Sequence, residues 1–197
     1  MRTKREIVSA IAVGVALLCG WALLLSRVAK ERTNAKLFST LSNGRGIFNV
    51  LFAEDSSEFI AEPRQPYPST AVYSNSTEYF LAMVEHGPLH VDFSFFAGAG
   101  MTPATGTTFT ADNNAWCIMG DIAEAHSGQC PILFTRNLHF SNDNGKVVAY
   151  ISDTPPFGTI GAAVVYLDGS GAVIRAEDLQ EVADGMHPNH VSSILRP

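Results

Sequence analysis

The chain has 197 residues, of which 46% are hydrophobic and 16% are charged. This length suits one domain with an additional segment and excludes a typical barrel enzyme or a two-domain kinase. Residues 1–36 hold seven Lys or Arg and two acidic residues, whereas residues 37–197 hold six and seventeen. The acidic C-terminal part would repel the phosphates of nucleic acids, which disfavours nucleic-acid binding. The basic N-terminal part favours contact with anionic membrane lipid.

The first predicted segment, 1–28, is a transmembrane anchor. Residues 7–26 carry no charge, and a helix of that length crosses the roughly 30 Å hydrocarbon layer of a bilayer. The apolar character continues up to Arg27 without a small-x-small cleavage site, which favours a retained anchor over a cleaved signal peptide. Basic residues lie on both sides of the span, so their count leaves its orientation open.

The second predicted segment, 29–55, is an amphipathic continuation of the same helix. Apolar residues three or four positions apart form one face, which predicts that this face packs on a globular part of the chain. The residues expected in this contact are Leu41, Phe48, Leu51 and Phe52. Two glycines, Gly44 and Gly46, each weaken a helix by about 1 kcal/mol, so a bend is expected near them.

The third predicted segment, 56–197, is a globular α+β head. It begins with a proline-rich loop at 56–75, followed by a helix that Asn75 caps, with Glu78 completing a capping box. The Gly87-Pro88 pair ends this helix. The Gly- and Thr-rich stretch 97–115 is predicted to be an exposed loop.

The remainder of the head is predicted to be an antiparallel meander, with a short helix at 177–184 and a tail at 187–197. Tight turns are indicated at Asn144-Gly145 and at residues 169–171. The predicted strands are 116–122, 132–138, 146–152, 162–168 and 172–176. The resulting fold class is α+β: a long N-terminal helix, membrane-spanning in its first half, packed on a small antiparallel β-sheet head.

No catalytic motif is present in the sequence. There is no GxSxG, HExxH, Walker-type or GxGxxG motif, and no histidine has a neighbouring nucleophile or carboxylate at a recognisable spacing. His86 and His90 have the spacing of a helical metal pair, but Gly87-Pro88 would break that helix. We therefore predict a protein that is not an enzyme, with no catalytic residue, no resident cofactor and no histidine metal site.

Two cysteines and three polar turns leave alternatives open. Cys117 and Cys130 are either a disulfide, if the head lies in an oxidising compartment, or two separate buried thiols. The Asp- and Asn-rich stretches 112–114, 142–145 and 168–170 carry oxygen ligands of the type that calcium prefers, although none has EF-hand spacing. Turn formation explains the same residues, so calcium is the minor alternative.

Several stretches resemble the type IV pilin and type II secretion pseudopilin family of bacteria. Residues 33–59, TNAKLFSTLSNGRGIFNVLFAEDSSEF, are similar to the second half of the pseudopilin helix, and residues 164–176, VVYLDGSGAVIRA, to its late hairpin. The resemblance implies a pilin-like fold and a structural role in a secretion or pilus-like assembly. The implied partners are other pseudopilin-like subunits or secretion platform proteins. The implied location is the bacterial inner membrane, with the head in the periplasm.

The N-terminus departs from the family pattern, in which a Gly-Phe processing site precedes a glutamate. Glu6 occupies the matching position if Arg2 is counted first, but Met1 and Arg2 replace the Gly and Phe. Glu6 is thus either a filament-register residue or a charge at the membrane face. The alternative function is a single-pass periplasmic binding or scaffold protein that does not enter a filament, and an anchored enzyme ranks third.

Overall fold

A computed structural model describes residues 4–52, 67–105, 108–122 and 128–197, with the side chains of 4–16 and 18 outside the description. The fold is α+β, with a long N-terminal helix and a small antiparallel sheet, which confirms this part of the predicted fold class. The chain divides into two compact units, Met1–Ala35 and Lys36–Pro197. Most of the predicted loop at 56–75 lies outside the described residues.

Helix α1 extends from Lys4 to Leu51 and continues through both glycines that were expected to bend it. Gly44 is buried, and a Cβ atom at this position would overlap the ring of Trp116. Gly46 is exposed, and a Cβ there would meet only Phe95, at 3.8 Å. Gly44 is therefore a point of close helix–sheet approach, because only a residue without a side chain leaves room for the indole ring.

One face of α1 packs on the sheet within the second unit. Leu41 is half-buried and lies against Gly171, whereas Phe48 is buried and lies against Gly169. Phe52 is buried and stacks on Tyr67 with ring centroids 4.9 Å apart. The buried residues recur every three or four positions, the spacing of one helix face: Leu37, Thr40, Gly44, Ile47, Phe48, Leu51 and Phe52.

Helix α2, Ser76–Glu85, begins at the predicted cap. The Asn75 side chain accepts a hydrogen bond from the Glu78 amide at 2.8 Å. The Glu78 carboxylate accepts from the amide and the hydroxyl of Ser74 instead of from the Asn75 amide that a capping box requires. The helix N-terminus is thus capped by Asn75 as predicted, but the Glu78 side chain pairs with the residue before the cap instead of with the cap itself.

The described ranges contain seven strands in two sheets, so the predicted single meander is wrong. The five-stranded sheet has the order β6-β5-β2-β1-β7, and β3 and β4 form a separate hairpin. All pairs are antiparallel. The strands are β1 Trp116–Met119, β2 Pro131–Thr135, β3 Leu138–Asp143, β4 Lys146–Ile151, β5 Ala162–Tyr166, β6 Gly171–Ile174 and β7 Ile194–Leu195.

The stretch 97–115, expected to be an exposed loop, is partly buried where the structure describes it. Short 3-10 helices occupy Phe93–Phe96 and Ala111–Asn113. Phe109 is buried and stacks on Phe93 of the first of these helices, with ring centroids 4.9 Å apart. One aromatic side chain within the small polar residues thus ties this stretch to the core, because burying it removes a large apolar surface from water.

The C-terminal tail is structured. Helix α3, Leu179–Asp184, lies within the predicted short helix, and a 3-10 helix follows at Pro188–Ser193. Strand β7 then pairs with β1, with Ile118 opposite Leu195. The tail therefore closes one edge of the sheet, a role that its irregular sequence did not predict.

Candidate functional site

The first candidate site is the apolar segment of α1, Leu17–Leu25. No residue of this segment is charged, and its large described side chains are 61–67% exposed: Leu17, Trp21, Leu23, Leu24 and Leu25. At about 100° per residue these side chains point to several sides of the helix. A helix that is apolar on all sides requires a lipid or protein environment to cover it.

Two hydroxyl side chains after the apolar segment bond to their own helix. The Ser26 hydroxyl donates to the Leu23 carbonyl at 2.8 Å, and the Thr33 hydroxyl donates to the Ala29 carbonyl at 3.0 Å. Such internal bonds satisfy the hydroxyl donors without water or a partner molecule. The helix around the apolar segment is therefore compatible with a non-aqueous environment.

The N-terminal part of the predicted span adds little to the site. Residues 7–16 and Glu6 belong to α1 by their backbone, but their side chains lie outside the described part of the structure. Among the described residues, no helix is both long enough and apolar enough to cross a membrane.

The second candidate site is a polar cluster around His139 on β3. The His139 ring stacks on Tyr150 of β4, with ring centroids 4.8 Å apart. Its Nε2 atom lies 3.1 Å from the Ser152 hydroxyl oxygen, and its Nδ1 atom lies 3.3 Å from an Arg196 guanidinium nitrogen. This is the pairing of serine and histidine that a hydrolase uses, with an arginine where a carboxylate is usual.

The tautomer of His139 argues against that chemistry. A guanidinium can only donate hydrogen bonds, so Nδ1 accepts from Arg196 and the ring proton lies on Nε2. Nε2 then donates to the Ser152 oxygen and cannot take the serine proton as a general base. Burial, with the positive charge of Arg196, lowers the pKa of His139, which also keeps the ring neutral.

The remaining histidines are dispersed. His86 lies 3.8 Å from the Glu85 carboxylate in an exposed pair, and His90 is exposed. The His187 and His190 rings are 5.5 Å apart, and the His187 Nδ1 atom accepts from the Asn189 amide. His126 lies outside the described residues.

The three cysteines are free thiols in the structure. Cys117 and Cys130 are buried in the head, which agrees with the second of the two alternatives that the sequence left open. Burial raises the pKa of the Cys117 thiol to about 12, despite the nearby charges of Arg196 and Arg136. Such a thiol is protonated and unreactive at neutral pH, whereas Cys19 is exposed on the apolar segment.

The polar stretches considered for calcium act as turn residues. The Asn142 side chain accepts from the Gly145 amide, and the Asp168 side chain accepts from the Ser170 amide, each at 2.8 Å. The Asn113 side chain accepts from the Thr110 hydroxyl at 2.9 Å. Within the described ranges no three His, Cys, Asp or Glu side chains converge on a metal position.

An open groove of about 500 Å³ runs along the hairpin and the C-terminal 3-10 helix. Its lining is formed by Asn142, Pro188, Asn189, Val191 and Ser192. These side chains offer amide and hydroxyl groups but no titratable group, so general acid–base chemistry would need residues from elsewhere.

The contact between His139 and Arg196 was not predicted from the sequence. The Asn144-Gly145 turn sets the hairpin register and so could have placed His139 opposite Tyr150. Arg196 lies 57 residues further along the chain, and no local pattern indicates that the tail returns to β1.

No protein-family model, curated protein or solved structure matches this chain.

Proposed function

We propose that the protein is a membrane-anchored, pseudopilin-like structural subunit of a type II secretion or type IV pilus-like assembly. The first part of α1 would lie in the bacterial inner membrane, and the head would lie in the periplasm and contact other subunits or secretion platform proteins. Two features support this proposal: the resemblance of residues 33–59 and 164–176 to the family, and the change from exposed to buried apolar side chains along α1.

One observation carries this proposal. Within the single helix α1, the described large apolar side chains of Leu17–Leu25 are all exposed, whereas from Leu37 onward one face of the helix is buried in the head and only Phe38 and Val50 stay exposed among its large apolar side chains. The second part of the helix thus has its partner within the chain, and the first part needs one outside it. Lipid and the equivalent helices of other subunits are the partners of an apolar helix in a membrane.

The His139 cluster supports a role without catalysis. Ser152 accepts a hydrogen bond from His139, so the pair lacks the proton acceptor that would activate a serine nucleophile. The Arg196 side chain instead connects the C-terminal strand β7 to the hairpin, which is a structural contribution.

Cys19 provides a direct test of subunit packing. It is exposed on the apolar segment, whereas Cys117 and Cys130 are buried, so copper phenanthroline, an oxidant that enters the bilayer and joins neighbouring thiols as a disulfide, should link two copies mainly through Cys19. A subunit of an assembly should give cross-linked dimers that Cys19→Ser abolishes and Cys130→Ser retains. A membrane-integrated chain that stays entirely monomeric would argue against packing between subunits through this segment.

The N-terminal sequence favours a second candidate, a single-pass periplasmic scaffold that does not enter a filament. Met1 and Arg2 stand where the pseudopilin processing site has Gly and Phe. The intact mass of membrane-extracted protein separates the candidates. A full-length chain, apart from loss of Met1, that also gives no Cys19 cross-link would favour the scaffold, whereas a shortened or N-methylated chain would favour the pilin-like subunit.

A further inference from the structure

We propose that three basic side chains next to the apolar segment, Arg27, Lys30 and Arg32, form a basic collar that binds the headgroups of anionic phospholipids. This inference rests on the proposed membrane anchoring and names the lipid class that the anchor selects. The ligand chemistry is the phosphate diester of a headgroup with net negative charge, such as phosphatidylglycerol.

The basic collar surrounds the helix. All three side chains are exposed, and at about 100° per residue Lys30 and Arg32 point about 300° and 140° around the axis from Arg27. A partner protein docked on one face of α1 would meet only part of this ring. Lipid headgroups surround a helix where it leaves the bilayer, so they can meet all three cations.

The depth of the basic collar also fits a headgroup layer. Residues 27–32 rise about 7.5 Å along the helix, and each polar layer of a bilayer is about 5–8 Å thick. The uncharged segment ends at Ser26, directly before the first collar residue. With Leu17–Leu25 in hydrocarbon, the three cations would therefore lie at the level of the lipid phosphates.

The collar side chains have no competing partner in the part of the chain that the structure describes. No ion pair or hydrogen bond joins Arg27, Lys30 or Arg32 to a described residue, and the nearest charge in sequence, Glu31, is likewise exposed and unpaired there. The collar with Glu31 thus has a net charge of +2 available to lipid. Solvent-exposed guanidinium and ammonium groups are strong donors to phosphate oxygens.

The acidic head of a second copy is the competing occupant, since residues 37–197 hold seventeen acidic and six basic residues. One head would approach α1 from one side, which leaves at least one collar cation without a partner. The ring arrangement therefore favours lipid over a second copy.

Electron paramagnetic resonance of spin-labelled lipids tests the proposal on the full chain reconstituted in phosphatidylcholine bilayers. The motionally restricted fraction of labelled phosphatidylglycerol, compared with labelled phosphatidylcholine, gives the selectivity at the protein surface. We expect at least about fivefold selectivity for phosphatidylglycerol, which corresponds to about 1 kcal/mol, the contribution of one basic residue near an anionic surface. The selectivity should fall as salt is raised.

Three variants distinguish lipid binding by the basic collar from a general effect of positive charge on the protein. The triple change Arg27→Gln, Lys30→Gln and Arg32→Gln should bring the selectivity close to one, whereas Glu31→Gln should raise it. The double control Arg45→Gln and Lys146→Gln removes two exposed cations of the second unit, Lys36–Pro197, and should leave the selectivity unchanged.

Three results would overturn the inference in distinguishable ways. Equal restriction of both lipids by a membrane-integrated wild-type chain would reject the basic collar and leave the anchor intact. No restricted lipid of either kind would reject the membrane anchor itself. Collar variants that lose a cross-linked dimer in pure phosphatidylcholine, with unchanged lipid selectivity, would assign the collar to a second copy instead.

Discussion

At the scale of single residues, Arg196 is the residue on which the polar cluster depends. Its guanidinium donates to His139, its charge acts on the buried Cys117 thiol, and its carbonyl accepts from the Ser76 amide at the start of α2. One residue near the C-terminus thus connects the hairpin and β1 through its side chain and α2 through its main-chain carbonyl. Because the guanidinium stays charged at all ordinary pH values, only His139 can titrate in this cluster near neutrality.

The stability of the head should decrease as the pH falls below about 6.5, and His139 should be one cause. Burial and the facing charge of Arg196 lower the pKa of His139 in the folded chain, whereas the unfolded chain keeps a value near 6.5. Between the two values the unfolded state binds more protons, so acid favours unfolding. The contribution of His139 to the free energy of unfolding is present in full above about pH 6.5. It is lost as the pH falls to the pKa that His139 has in the folded chain.

Thermal midpoints from pH 8 to pH 5 measure this effect. His139→Gln should flatten the pH dependence relative to wild type, because glutamine does not titrate. His90→Gln, at an exposed position, is the control and should leave the slope unchanged. An unchanged slope in the His139 variant would assign the acid sensitivity to other groups.

At the scale of elements, local signals were reliable and long-range pairing was not. The Asn75 cap, the Asn144-Gly145 turn and the hairpin through residues 169–171 are formed by neighbours in sequence, and each was found where the turn and cap chemistry predicted it. The order of β5, β2 and β1 depends on contacts distant in sequence, so the meander prediction failed. No short motif encodes such pairing.

The two glycines of α1 also show that local sequence signals do not reveal contacts distant in sequence. Helix propensity ranks Gly44 and Gly46 as equal weak points, but Trp116 lies against Gly44 and only an ordinary contact faces Gly46. Helix propensity depends only on the residue itself, whereas position 44 must lack a Cβ because of Trp116, which is 72 positions away in the sequence. The sequence could therefore predict the helix and not the reason for its glycine.

Alanine at these two glycines should change stability in opposite directions. Gly44→Ala forces a Cβ into the buried Trp116 ring, and overpacking of this kind costs about 1–3 kcal/mol. Gly46→Ala adds a methyl group at an exposed helix position and should stabilise by up to about 1 kcal/mol. Chemical denaturation followed by near-ultraviolet circular dichroism measures both, and a stabilising Gly44→Ala would show that α1 does not approach the sheet this closely.

At the scale of the whole molecule, the basic, apolar part of the sequence and the acidic part meet close to the boundary between the two compact units. The apolar segment and the basic collar belong to the unit Met1–Ala35, whereas the buried core residues that the structure describes all belong to Lys36–Pro197. Among the α1 side chains that the structure describes, which begin at Leu17, the first buried one is Leu37. The core of the head therefore begins within one turn of the boundary between the units.

A chain that begins at Lys36 should fold on its own and remain in solution without detergent. It retains every core residue that the structure describes as buried, from Leu37 to Leu195, and loses the exposed apolar segment that needs an external partner. Its calorimetric unfolding midpoint should lie close to that of the head in the full chain, because the described buried core stays complete.

The matched control is a chain that begins at Arg45. It lacks Leu37, which is fully buried, and Leu41, which contacts Gly171. Loss of one buried leucine side chain costs about 2–5 kcal/mol, a large part of the roughly 5–15 kcal/mol by which a domain is stable. This shorter chain should therefore unfold at a much lower temperature or aggregate. If both chains melt alike, residues 36–44 of α1 contribute little to the head, and their packed face would be free for other subunits.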